Sequence, residues 1–130
     1  MAFKIKTLLT DSTPSLEYIA GTASEAFSYG EALVFSDGKL TKASGAVTPE
    51  FICASDTSLP SGGGLVPVIR INESMLLEVP LSASGASLKC GDKVTLGTDG
   101  MTVTATTTNG TAIIEAISGT SVGDTVTVKF

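Results

Sequence analysis

Apolar and polar residues alternate with a period of two along much of this chain. From Met101 to Ala105 the odd positions are apolar and the even ones are threonine. In the closing run Thr125 to Phe130, Val126, Val128 and Phe130 share one face, and Thr125, Thr127 and Lys129 share the other. Met75, Leu77 and Val79 oppose Leu76 and Glu78 in the same way. That period is the signature of half-buried β-strands. Leu65 to Ile71 is apolar on both faces, and its Pro67 cannot donate a ladder hydrogen bond, which predicts an edge strand or a bulged one. No segment sustains a helical period; Thr22 to Phe27 is long enough for a single turn.

Turn signals separate the alternating runs. Asp37-Gly38 divides Ala32–Phe35 from Lys39–Thr41, and Asp99-Gly100 divides Val94–Leu96 from Met101–Ala105. Asn109-Gly110 precedes Ala112–Ile117. Such dipeptides supply the positive φ angles of tight hairpins. A weak internal repeat runs through them. Gly30-Glu31-Ala32-Leu33 returns as Gly91-Asp92-Lys93-Val94, and Phe51–Ala54 returns as Ile113–Ala116. The predicted fold is all-β, a small β-barrel or sandwich of two related β units (about 30–56 and 91–118). A unit that short cannot bury its own apolar face, whereas two together can. Residues 1–20 stand outside the repeat, as an extended N-terminal arm or an edge strand, and 21–130 form a single β domain. Pro60 to Gly64 reads as a flexible loop tip.

Composition narrows the function. The 130 residues are 42% hydrophobic and only 16% charged, with a net charge of −5 and a mean hydropathy of +0.36. The cations are scattered, without the basic stripe and interleaved aromatics of a nucleic-acid binder. No run has the apolar length of a membrane span. Met1 to Lys6 has no apolar block after its lysines, so it does not read as a signal peptide, and synthesis in the cytoplasm is expected. In that compartment Cys53 and Cys90 are expected as small, reduced, buried hydrophobes. Asn72-Glu73-Ser74 and Asn109-Gly110-Thr111 then read as turns rather than glycan sites.

Histidine is absent, which removes the commonest general base and every Ser-His or Cys-His pair. Neither cysteine has a metal-ligand spacing partner. Most acids (Glu31, Asp37, Asp92, Asp99 and Asp124) fall at turns, where they bond nearby backbone. Gly62–Gly64 lacks the Lys-Ser/Thr of a phosphate-binding loop. No catalytic residue, cofactor or metal is expected.

Several segments together carry a resemblance. Leu16–Ala20, Tyr29–Leu33, Asp37–Ala43, Pro49–Cys53, Leu65–Arg70, Lys89–Leu96 and the closing Gly123–Phe130 resemble, in order and spacing, the small capsid decoration (head-stabilising, cement) proteins of tailed bacteriophages and prophages of Gram-positive hosts. The resemblance implies a β-barrel-like homotrimer on the capsid exterior of the virion, made in the host bacterial cytoplasm. It would bind the major capsid (coat) protein and stabilise the head. Such families have no catalytic residues to transfer. If the first residues are a docking arm, Phe3, Ile5, Leu8 and Leu9 are its apolar contacts, with Lys4 and Lys6 beside them; the same residues also suit core and edge-strand positions. A tail or neck structural subunit and a carbohydrate-binding adhesion module are the alternatives. The second is poorly served by seven aromatics and no tryptophan.

Overall fold

The computed structural model describes residues 2–8 and 15–130. These form strands β1 (Lys4–Leu8), β2 (Leu16–Gly21), β3 (Ala26–Phe27), β4 (Ala32–Ser36), β5 (Lys39–Lys42), β6 (Phe51–Cys53), β7 (Thr57–Ser58), β8 (Gly64–Arg70), β9 (Met75–Pro80), β10 (Lys93–Val94), β11 (Ala112–Ile117) and β12 (Thr125–Lys129). The fold is all-β. Strands β2, β5, β4, β6 and β8 close a barrel, β1-β9-β12-β11-β10 make a five-stranded sheet, and β3 pairs with β7.

Barrel and sheet repeat one hydrogen-bonding plan. Ala32 pairs with Ile52 and Leu33 with Phe51; Lys93 pairs with Ile113 and Val94 with Ala112. The Gly30 N–H donates to the Cys53 carbonyl as the Gly91 N–H donates to Ile114, and Cys53 donates back to Glu31 as Ile114 does to Asp92. Strand β2 lies antiparallel to β8 as β9 lies antiparallel to β12. The two interiors correspond too. Leu33, Leu40, Phe51, Cys53, Val66 and Val68 fill the barrel with Phe27 and Leu59. Val94, Val103, Ala112, Ile114, Val126 and Val128 fill the second core. Ala32, Ala43 and Ile52 of the first half join that second core. The small side chains of Ala32 and Ala43 let the halves approach closely enough for Ala32 N–H to donate to Gly100 across the seam at 2.7 Å.

The turn chemistry explains the strand ends. Asp37 and Gly38, at φ 51° and 78°, make the two-residue turn that sets Ser36 opposite Lys39. Asp99-Gly100 makes a wider one. The Asp99 carboxylate accepts the Met101 N–H and the Thr102 hydroxyl, both at 2.9 Å, so the connection closes through the isolated pair Leu96 and Val103.

Five expectations need correction. Strand pairing sets Phe51 and Ile52 in the places of Ala112 and Ile113, one residue earlier than the predicted match of Phe51–Ala54 to Ile113–Ala116. Strand β8 is central, flanked by β2 and β6. The Pro67 carbonyl accepts the Ala54 N–H, so its nitrogen faces the same flank, just beyond Cys53 at the end of the β6 ladder, where only the terminal reciprocal bond is forgone. Thr22 to Phe27 holds a turn and the two-residue β3, with no helical turn. Cys53 is buried, but Cys90 is exposed. A boundary at residue 20 would cut through β2, which is an integral barrel stave.

Residues 4–8 are an edge strand, paired with β9 from Lys4 opposite Glu78 to Leu8 opposite Met75. Gly30 holds this strand's start. It sits at φ 79° and its carbonyl accepts the Phe3 N–H at 2.9 Å. A Cβ there would collide with the Ala2 Cβ. Gly30→Ala is therefore expected to cost about 1–2 kcal/mol, read as a lowered melting temperature with faster hydrogen exchange at Phe3.

Candidate functional site

The residues singled out at the N-terminus do not share one environment. Phe3 is 1% exposed, its ring centroid 5.9 Å from that of Phe130, so it serves the core and is withdrawn from the surface. Lys4 is exposed and Ile5 is half-buried. Lys6 turns toward β9 and β12. Its Nζ lies 3.8 Å from Glu78 Oε2 and donates to the Thr127 hydroxyl at 3.3 Å. Leu8 pairs with Met75 through the main chain, and Leu9 lies outside the described residues. Phe3, Lys4 and Ile5 do meet along one groove of about 350 Å³, whose other walls are Tyr29, Ile52, Cys53, Ala54 and Ile69.

That groove runs into an apolar face. The β2–β8 register sets Leu16 opposite Ile69, Tyr18 opposite Pro67 and Ala20 opposite Leu65. Alternation turns all six side chains away from the barrel interior, which takes Val66 and Val68. Leu16 is 50% exposed, Tyr18 62% and Leu65 59%. Ile69 belongs to both the face and the groove, so the two form one surface with no charged side chain among its six β2–β8 positions. Exposed apolar patches are a common feature of interaction surfaces. The sequence held the signal: a strand apolar on both faces, with one face in the core, has to present the other.

One end of the barrel is closed by charge over aromatic rings. Arg70 Nε and Nη2 donate to Glu17 Oε2 and Oε1, both at 3.0 Å. The hydrogen bonds from Arg70 hold the Glu17 carboxyl below its usual range, and Glu17 raises Arg70 in turn. The guanidinium lies 4.8 Å from the Phe51 ring centroid, and Phe51 meets Phe35 edge-on at 5.4 Å.

The titratable group in the least ordinary setting is Glu31, only 3% exposed, with its Oε1 lacking a hydrogen-bond partner. Burial pushes its pKa up to about 7; Lys42 and a backbone hydrogen bond with Ser28 oppose the shift, and Glu25 and Asp99 add to it. It does not line the groove beside β1. Among the described residues no cluster of three or more Cys, Asp or Glu is arranged to hold a metal ion.

No protein-family model matches the chain, and no curated protein matches it. Among solved structures it is similar to the N base of the head fiber gp8.5 of bacteriophage phi29, at 18% sequence identity and a TM-score of 0.61, over 89% of this chain and 94% of that one. At that identity the likeness is one of fold.

Proposed function

We propose that this chain is a non-enzymatic structural protein of a tailed-phage virion, and specifically a capsid decoration protein that binds the outer surface of the coat-protein lattice as a homotrimer. The observation that carries the reading is the fold it shares, over nearly the whole of both chains, with the base of a phage head fiber. The order of Gly-Asp, hairpin and closing-strand segments in the sequence points the same way. The apolar β2–β8 face supplies a docking surface.

The mechanism is interface physics. A protein that binds only the assembled lattice stabilises it in proportion to its occupancy. Burying apolar surface across a seam between coat subunits supplies the attachment. Three linked copies turn a weak contact per subunit into a firm one, because the second and third contacts form at high effective concentration.

The test is co-sedimentation of the purified protein with phage heads that lack it, before and after shell expansion. Saturable binding to expanded heads is expected, with greater resistance of those heads to heat. Absence of binding to either form would overturn the decoration reading in favour of a tail, neck or surface-adhesion subunit.

A further inference from the structure

The barrel and the five-stranded sheet keep separate ladders and separate cores. At the seam between them, Ala32 N–H donates to the Gly100 carbonyl, and Gly45 and Leu96 exchange main-chain bonds of 3.1 and 2.9 Å. The turn over residues 97–100, closed by the Gly100 N–H on the Gly97 carbonyl, belongs to the second half and is seated on the first. The fit is tight. A Cβ on Gly100 would lie 2.7 Å from the Lys42 Cγ and 3.2 Å from the Glu31 Cγ, so the turn rests against the stems of both side chains. Gly100 is buried and Thr98 is exposed, so the turn reaches from Glu31 to the surface.

Glu31 is buried with an unpartnered Oε1, a setting that a protonated carboxyl tolerates far better than an ionised one. Four elements face it. Lys42 of β5 attracts an ionised Glu31, whereas Glu25 before β3 and Asp99 of the turn repel it. On the β6 side stands the Cys53 thiol, itself pushed up by burial. The Asp99 carboxylate is tied down by the Met101 N–H and the Thr102 hydroxyl, so it moves with its turn. Water reaches an ionised Glu31 most readily where the cover is a turn and not a strand ladder. Lifting this turn takes Asp99 away and leaves Lys42 beside the carboxylate.

We propose that the 97–100 turn is a proton-controlled latch between the two halves. A protonated Glu31 keeps it seated, and ionisation of Glu31 shifts it toward an open form in which both cores stay folded. The latch is a property of the chain itself and does not depend on what the chain binds.

The test is amide exchange on the whole chain at pH 5 and pH 8, with each rate corrected for the intrinsic effect of pH. Ala32 N–H reports the latch. The Cys53 and Ile114 N–H groups, bonded to the Glu31 and Asp92 carbonyls inside the two halves, report the cores. Ala32 exchange should rise on the order of 50-fold between the two pH values. At pH 8 it should outpace Cys53 and Ile114 and hardly respond to added denaturant, the mark of an opening that exposes little surface. Glu31→Gln, which keeps the shape and removes the charge, should hold Ala32 exchange level to within about threefold. Ala32 rates that match Cys53 and Ile114 in size and in denaturant slope would assign the effect to global unfolding and overturn the latch. So would a Glu31→Gln chain that accelerates as the wild type does. If Glu31→Gln does not fold, the wild-type rates and slopes decide alone.

Discussion

Phe51→Ala is expected to lower the unfolding free energy by about 3–5 kcal/mol, the largest loss for a single truncation in the barrel. Phe51 is fully buried in the smaller of the two cores, and three supports converge on its ring. Strand β6 pairs with β4 and β8 on either side of it. Phe35 meets it edge-on, and the Arg70 guanidinium lies over it. Removing the ring leaves a cavity beneath a charged group that has lost its aromatic platform. The corresponding place in the second half is held by Ala112, so the barrel depends on this one side chain for volume that its counterpart draws from elsewhere. Chemical denaturation with the Phe35→Ala and double variants measures the pair. A Phe51→Ala loss below about 1 kcal/mol would contradict this packing.

Stability should fall as pH rises from about 4.5 to about 7, and Glu31 is the cause. Its ordinary value is 4.5 and its folded value is about 7, so across that window the folded state holds a proton that the unfolded state has released. Below 4.5 both states are protonated and no penalty exists; above 7 both are ionised and the full cost of a buried carboxylate remains. The shift corresponds to a loss on the order of 3 kcal/mol. Glu31→Gln should flatten the curve between pH 5 and 7 and raise the melting temperature at pH 8. The lowered Glu17 acts in the opposite direction, with stability lost as pH falls below the ordinary carboxylate range, so it leaves this window to Glu31. Wild-type melting temperatures that do not change between pH 5 and 7 would sink the assignment.

Why a protein would keep such a group follows from its position. Glu31 follows the positive-φ Gly30, its carbonyl accepts the Cys53 N–H, and the next residue bonds across the seam to Gly100. Main-chain needs fix the turn, and the side chain is carried inward with it.

The fold class was legible because its physics is local. Met75, Leu77 and Val79 are buried as their alternation requires, and Asp37-Gly38 closes the two-residue turn its composition demands. What local pattern does not specify is the partner on each strand flank. Pro67 argued for an edge, yet β8 is central, because the missing N–H falls at the end of the β6 ladder and forgoes only its terminal bond. Cys90 reads like Cys53 in composition, and only tertiary packing separates the exposed thiol from the buried one. The candidate site was legible in part. Phe3, Lys4 and Ile5 border the groove, with Phe3 also serving the core, and the larger apolar face needed the β2–β8 register, a long-range pairing that joins segments far apart in sequence.

The most direct measurement of the account is an image reconstruction of phage heads saturated with this protein. The expected result is density on the outer surface of the shell, with the β2–β8 face against the coat subunits. Density confined to the tail or neck, or on the shell with Tyr18 and Leu65 turned to solvent, would contradict it.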